Sequence, residues 1–597
     1  MPLYKLAIAH QNLGGLLSSY EAGQSTLIRQ RCLFMNPMAF DKAMKLFHKA
    51  ERLVQRGRPL EAVLLYRKGL KLLPDNADVL NNFANLLTSL NRCDEAVEVF
   101  KKAIQIDPKS AHTYANFGSA LASLGMFQQA IEKCQCALEV DPTFVQIYGQ
   151  LGFWLSSLGQ NKLALEYLQR AMQHLPHDRW IYTLYLLALN YSDDLEPHEQ
   201  FEAHAQWYRN FFVDNFYFQP SFVDQLTCDR PLNIGYLSAD FRHHSVAFFI
   251  EPIIQGHDRT KIKCFCYSNN TRDDEVSKRI KKGADVWHSV AALNDEQLYE
   301  LIRKDKIDIL VDLNGHTGGN RLALFARRPA PIQVTYLGYP NTTGMEVMDY
   351  RITDDLSDPS PSADSYYSET LIRLKQGFLC YSPPGAAPTS SKPPVLEKGW
   401  VTYGSFNNVA KLSPTTINLW ARVLKQTPHS QLLLKGKAFN DPQTRAYFVK
   451  QFEDQGVAGE RLRLIGHAKS FEQHMALYDD IDIALDTFPY HGVTTTFEAL
   501  WMGVPVISRI GNTHASRVGK SILSVLGLDE LTADCDDHFI RIATLLAEDK
   551  SRLHEYRKNL RGQLQSSPLM DERGFVAKLE EAYRSIWQAL LDRKAGS

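Results

Sequence analysis

The chain has 597 residues, a length that at about 150 residues per domain suggests roughly four domain-sized units or fewer larger ones. Hydrophobic residues make up 44% and charged residues 22%, which excludes a mainly disordered or fibrous chain. Lysine and arginine (66) balance aspartate and glutamate (67), so the formal charge of −1 offers nucleic acid or an anionic membrane no global field. From the N-terminus, Met1 to Ala9 holds one Lys and polar residues follow, so no secretory signal is expected. No run approaches the ~18 apolar residues of a membrane span; Val246 to Ile254 is short and interrupted by Glu251. The nine cysteines are irregularly spaced, and the close pairs Cys134/Cys136 and Cys264/Cys266 are C-x-C rather than C-x-x-C. Reduced thiols in a cytoplasmic protein fit this pattern better than a disulfide framework.

Residues 1–39, which include Met35 and Met38, keep no repeat and read as a leader. Residues 40–178 carry a repeat: Pro74, Pro108, Pro142 and Pro176 are spaced by 34 residues. Alanine stands twelve residues before each, at Ala62, Ala96, Ala130 and Ala164. Two further small columns run through Ala50, Ala84, Gly118, Gly152 and through Gly69, Ala103, Ala137, Ala171. Larger residues fill Leu46, Leu80, Tyr114, Tyr148 and Tyr66, Phe100, Cys134, Leu168. Small residues where helix backbones approach, large ones between them and a terminal proline predict four antiparallel helix pairs of the tetratricopeptide type. Such arrays bind peptides or proteins.

Residues 179–230, rich in aromatic pairs such as Trp207-Tyr208, Phe211-Phe212 and Phe216-Tyr217-Phe218, read as a helical connector. From 231 the pattern changes to short apolar runs alternating with amphipathic helices, the mark of parallel α/β sheets. Strands are expected at Asn233–Leu237, Ile262–Tyr267, Ile307–Leu313, Ile332–Tyr336 and Arg351–Thr353. A Pro- and Ser-rich stretch, Ser382 to Lys398, separates a second series at Thr402–Ser405, Gln431–Lys435, Leu462–Ile465, Ile481–Leu485 and Pro505–Ile507. Lobes at 231–398 and 399–570 and a C-terminal helix at 571–597 follow, with the ligand cleft at the strand C-termini. Loops there carry His243-His244-Ser245, Asn314 to Gly319, Asn407-Asn408-Val409-Ala410-Lys411 and Asp486 to Gly492. Thr494-Thr495-Thr496 then opens a helix whose first turn suits either a phosphate or ordinary capping.

Several longer motifs share a resemblance. Arg328-Pro329-Ala330-Pro331-Ile332-Gln333, Gly338 to Gly344, Asp349 to Asp354, Phe406-Asn407-Asn408 with Lys411, and Asp486 to Pro505 resemble the O-linked N-acetylglucosamine transferase/SPINDLY family, glycosyltransferase family 41. The resemblance runs from about Leu232 to Trp587. It implies a GT-B fold of two Rossmann-like lobes preceded by an α-solenoid of tetratricopeptide repeats. The implied activity is inverting transfer of a single sugar from a nucleotide-sugar to Ser or Thr of proteins. Lys411 matches the family lysine at the diphosphate, Thr494 and Thr495 the phosphate-contacting helix start, His474 a nucleotide-site histidine, and His244 an active-site histidine proposed as general base. Asn407 and Asn408 belong to the same nucleotide-binding motif, and Glu498 supplies a carboxylate for ribose hydroxyls. Val493 and Glu498 depart from the N-acetylglucosamine enzymes, which carry His and Asp there, and approach the SPINDLY pattern. The donor is therefore UDP-GlcNAc, the family default, or GDP-fucose, as in the SPINDLY branch. Lys435 and Lys437 follow the next strand and are expected to line the same cleft.

Asp480-Ile481-Asp482 resembles a metal-binding D-x-D, yet it precedes an apolar run, and Asp482 reads as a strand-boundary residue. No metal and no cofactor beyond the donor is expected. The expected partners are protein acceptors on the repeats, with neither nucleic acid nor a membrane span, and room is left for a homo-oligomer. Two alternatives stand beside transfer to Ser or Thr: a noncatalytic repeat adaptor, and a transferase acting on Asn or a non-protein acceptor. Intact Lys411, His244 and threonine helix start argue for an active enzyme.

Overall fold

The computed structural model describes residues 37–213, 222, 230–383, 387–388 and 392–595. The leader up to residue 36, Cys32, Cys228, the Phe216-Tyr217-Phe218 cluster and parts of the Ser382–Lys398 stretch lie outside the described residues. The chain forms two compact units, one reaching to Leu155 and taking in Asn440–Thr444, the other comprising Ser156–Phe439 and Arg445–Ser597.

The repeats fold as helix pairs: Pro37–Gln55 with Pro59–Leu72, Ala77–Ser89 with Cys93–Ile106, Ala111–Ser123 with Phe127–Val140, and Ile147–Ser157 with Asn161–His174. Ala62, Ala96, Ala130 and Ala164 are at 0% exposure, so nothing larger fits without moving a helix. A Cβ on Gly69 would overlap the ring of Phe47. One expected large column is displaced. Leu80 is buried, but Leu46, Tyr114 and Tyr148 are only half-buried. Phe83, Phe117 and Leu151, three residues further along the same helical face, fill the interior instead. Rings stack within the first pair, Phe47 on Tyr66 (5.9 Å), and between successive pairs, Tyr66 on Phe83 (5.5 Å) and Phe100 on Phe117 (5.7 Å).

In the second unit, helices Arg179–Leu189 and Pro197–Tyr208 and a single π-turn Arg209–Val213 precede a seven-stranded parallel sheet. Its strands are β1 (Leu232–Ser238), β2 (Ile262–Ser268), β3 (Val286–Ser289), β4 (Ile309–Asp312), β5 (Ile332–Thr335), β6 (Tyr350–Thr353) and β7 (Thr370–Arg373). Their order is β3-β2-β1-β4-β5-β6-β7, with Ile234 opposite Ile309 between β1 and β4. The second sheet comprises β8 (Thr402–Ser405), β9 (Gln431–Lys435), β10 (Leu462–Ile465), β11 (Ile483–Leu485), β12 (Val506–Arg509) and β13 (Thr532–Ala533), in the order β10-β9-β8-β11-β12-β13. In both sheets the winding reverses beside the first strand, between β1 and β4 and between β8 and β11, and loops diverge there to leave a crevice. The edge strands β3, β7 and β13 are not expected from sequence. They are two to four residues long, and β3 and β7 are only partly buried, so they lack an apolar run.

The last helix, Glu572–Ala595, returns to the first sheet. There His257 bridges the Tyr236 hydroxyl (2.8 Å) and the Glu580 carboxylate (3.0 Å), and Tyr583 meets Tyr236 (3.3 Å). The Gly338-to-Gly344 motif turns out to be a fastening for the connector helices. The Tyr339 hydroxyl sits among the Leu186 carbonyl (2.9 Å), Asn190 Nδ2 (2.9 Å) and His204 Nε2 (2.7 Å). Asn341 Nδ2 donates to Asn190 (3.0 Å) and Gln200 (2.8 Å). These groups are buried, so each needs the partner it has. Among the described residues no helix is long and apolar enough to cross a membrane.

Candidate functional site

After β8 the chain runs into buried Asn407 and exposed Asn408. The Asn408 side chain accepts from Ala410 N (3.2 Å) and starts the 3₁₀ turn Val409–Lys411. That turn aims Lys411 at the loop after β11, where Nζ donates to the His491 carbonyl (2.6 Å) and lies 4.1 Å from the centre of the Tyr490 ring. Asp486 organises this loop by accepting from Thr487 N (3.0 Å), Gly492 N (2.7 Å) and Ser508 Oγ (2.8 Å). Asn407 joins the loop to the following helix, for its Oδ1 accepts from Thr495 Oγ1 (2.9 Å). Position 492 must be glycine, because a Cβ there would overlap Thr495 Oγ1.

The helix Thr494–Trp501 starts after Val493, which gives it no side-chain cap. Its first N–H groups have no intrahelical partner, and the helix dipole adds positive potential at that end. Beside it, Lys411 is half-buried; desolvation draws its ammonium down to about 8, although the Asp486 carboxylate pulls the other way. The His491 ring is not free for chemistry. Its Nε2 faces the Arg509 carbonyl (2.7 Å), its Nδ1 accepts from Gly519 N (3.1 Å), and burial lowers its pKa.

His474 stands in a second cluster of the same lobe. Its Nδ1 lies 2.6 Å from Lys435 Nζ and its Nε2 2.9 Å from Glu498 Oε2. An ammonium can only donate, so Nδ1 carries the lone pair and the Nε2–H points to the carboxylate. The Tyr478 hydroxyl donates to the same oxygen of Glu498 (3.1 Å). Lys435, expected to line the same cleft, is the last residue of β9, and its Nζ is directed at His474. Burial lowers its pKa.

His244 belongs to the first lobe, after β1. Its Nδ1 is 3.6 Å from Asp240 Oδ2, and Asp240 is fixed by Arg242 Nη2 (2.9 Å) and Asn314 Nδ2 (3.0 Å). Burial lowers the His244 pKa despite the Asp240 charge, which favours the neutral ring. The neighbouring His243 ring meets Phe471 of the second lobe (6.3 Å), and Phe249 meets Phe497 (5.4 Å), so the two strand-end crevices open toward each other. Asn314, Asp486 and Tyr490 lie in loops expected from sequence to carry chemistry, whereas Asp240, two residues after β1, is a support that sequence reasoning did not single out.

The D-x-D stretch is structural in its contacts. Asp482 accepts from Val395 N (2.9 Å) and Thr402 N (2.8 Å), and Asp480 pairs with Arg463 (2.8 Å) and Lys398 (3.2 Å). Among the described residues no group of three or more His, Cys, Asp or Glu side chains could hold a metal ion.

Two doubly wound sheets apposed at their strand ends make this a GT-B glycosyltransferase fold, preceded along the chain by helical repeats. The profile of glycosyl transferase family 41 matches residues 213–382 and 388–579, and a TPR repeat profile matches residues 84–125. The chain belongs to glycosyl transferase family 41. It is 42% identical over 412 residues to the barley (Hordeum vulgare) protein named probable UDP-N-acetylglucosamine–peptide N-acetylglucosaminyltransferase SPINDLY, covering 68% of this chain and 43% of that one. It is 32% identical over 370 residues to the Arabidopsis thaliana protein of the same enzyme name called SEC, covering 60% and 37%. The chain thus spans less than half the length of these curated relatives. A solved mutant of the Thermobaculum terrenum O-GlcNAc transferase superposes with a TM-score of 0.78 at 35% identity, covering 87% of this chain and 98% of that one.

Proposed function

We propose that the protein is an inverting O-glycosyltransferase that moves one sugar from a nucleotide-sugar to Ser or Thr of proteins held by the repeats. The observation that carries this reading is the Lys411 ammonium beside the uncapped start of helix Thr494–Trp501. A departing nucleoside diphosphate gains negative charge as the sugar–phosphate bond lengthens, and donors already in place stabilise that charge most where water is excluded. Lys411 and the N–H groups of Thr494 and Thr495 are such donors. They supply the positive charge that a metal supplies elsewhere, so no metal is required. The acceptor oxygen attacks the anomeric carbon, its proton passes to neutral His244, and the diphosphate leaves with the bonding pair. Glu498 offers the ribose hydroxyls Oε1, since His474 and Tyr478 both occupy Oε2.

The names of the relatives support UDP-GlcNAc as the donor; Val493 and Glu498 support GDP-fucose as the second reading. The protein acts in the cytoplasm. Thermal unfolding with UDP and with GDP discriminates the donors, because a ligand at 100 times its Kd stabilises by ~2.7 kcal/mol. Mass spectrometry of the acceptor then identifies sugar and residue. Turnover of no nucleotide-sugar at all would favour a noncatalytic adaptor, and modified Asn would overturn the hydroxyl acceptor.

A further inference from the structure

The backbone that carries Lys411 is held from outside both sheets. Asn161, 4% exposed at the start of helix Asn161–His174, donates from Nδ2 to the Ala410 carbonyl (3.3 Å) and the Tyr191 carbonyl (3.4 Å). Its Oδ1 accepts from Ser156 Oγ (3.1 Å). Two residues earlier, Gly159 has φ +72° and lies so close to Leu412 that a Cβ would overlap the Leu412 carbonyl oxygen. The carbonyls on both sides of Lys411 therefore rest on one turn of the helical segment. A second contact reaches the other side of the lysine. Tyr191, just after helix Arg179–Leu189, stacks on Tyr490 with centroids 5.1 Å apart and planes 23° apart, and Tyr490 is the ring beside the Lys411 ammonium.

We propose that this helical segment completes the catalytic centre, with Asn161 and Tyr191 acting as positioning residues for Lys411. The proposal rests on the reading of Lys411 as the diphosphate partner. Asn161 fixes the 3₁₀ turn, and hence where Nζ lies; Tyr191 backs the aromatic wall that keeps water from it. The groups facing Nζ are Asp486, the His491 carbonyl and ring, and the Tyr490 ring, none of which the substitutions alter. Opening the wall therefore acts through solvation alone and makes the ammonium harder to deprotonate.

The test uses the full chain and two readouts. The first is acylation of the Lys411 amine against pH, followed by mass spectrometry, which needs no activity. The second is kcat and donor KM on UDP-GlcNAc or GDP-fucose, whichever the wild type turns over. Tyr191→Ala is expected to move the acylation midpoint up from about 8 by roughly one pH unit, and Tyr191→Phe to restore it. Asn161→Ala is expected to lower kcat roughly tenfold with donor KM nearly unchanged. Wild-type acylation profiles in Tyr191→Ala, with wild-type kcat in a folded Asn161→Ala, would overturn the proposal. If the wild type turns over no nucleotide-sugar while the acylation shift holds, the transferase reading falls and the positioning role stands.

Discussion

A lysine that must carry charge while a bond breaks is costly to bury, and Lys411 shows both sides of that compromise. Partial burial draws its ammonium down to about 8, and on the proposed reading the same loss of water strengthens its pull on a departing diphosphate. Lys411→Met keeps the length and removes the charge, so kcat should fall ~10²–10³-fold with acceptor binding retained. Transfer at saturating donor measures it, and a wild-type rate would displace the active site from the crevice. The pH dependence follows with its sign. On the proposed reading Lys411 works protonated, so kcat/KM should fall as pH rises through about 8. On the same reading His244 works neutral, and because burial lowers its pKa the acid limb should lie below the usual ~6.5. A bound diphosphate favours the ammonium, so the alkaline limb of kcat should sit higher than that of kcat/KM. Lys411, His474 and the threonines could be found in the sequence because they lie in motifs. The commitment of Lys435 to His474, and of Tyr191 to Tyr490, joins residues 39 and 299 positions apart along the numbered chain and leaves no local signal.

At the scale of elements, periodicity spoke clearly wherever a face is fully buried. The 34-residue columns located every helix pair, because an alanine at 0% exposure cannot drift without separating two backbones. The central strands were equally plain, since a parallel strand covered on both faces is a continuous apolar run. The edge strands β3, β7 and β13 were not, and neither was the aromatic filling by Phe83 and Phe117, which shares a face with the column chosen from sequence. Helix packing also sets a testable cost. Ala96→Leu adds three heavy atoms where there is no room and should destabilise by roughly 1–3 kcal/mol. We expect it to impair transfer to protein acceptors while leaving donor hydrolysis intact, because Ala96 belongs to the repeats and Lys411 to the other compact unit. Parallel assays of the two reactions check this, and equal losses in both would argue against separable roles.

At the scale of the molecule, the crevice depends on two lobes being held together, and the fastening is partly ionic. Asp358 of the first lobe accepts from Thr353, from the Tyr367 hydroxyl (2.6 Å) and from His514 of the second (2.7 Å). Arg517 Nε donates to the Leu356 carbonyl (3.0 Å) and Ser521 Oγ to Asp354 (2.6 Å) across the same seam. Apolar contacts add to it, with Tyr381 stacked on Phe497 at 4.6 Å. Asp354 stands in a motif that revealed the family, but its bond to a serine 167 positions later was not readable there. Burial alone would raise the Asp358 pKa; the charge and hydrogen bond of His514 outweigh it, with help from Arg351 and Thr353, and hold the carboxyl well below its usual range. A carboxylate depressed in the folded state contributes stability above its unfolded pKa of ~3.9, and that contribution is lost only as pH falls further. Protonation of Asp358 itself therefore lies far below the range in which Lys411 titrates, and on the proposed reading the alkaline limit of catalysis reports Lys411 rather than acid loss of this carboxylate. Removing the charge separates the two effects. Asp358→Asn removes the carboxylate that faces His514 Nδ1, Thr353 and Tyr367, and disturbing buried hydrogen bonds of this kind typically costs ~1–3 kcal/mol. Denaturant unfolding should show that loss, and donor KM should rise because both lobes frame the crevice, while the alkaline limb near 8 keeps its place. An unchanged unfolding midpoint with unchanged KM would mean that the apolar contacts around Phe497 hold the lobes without the ion pair.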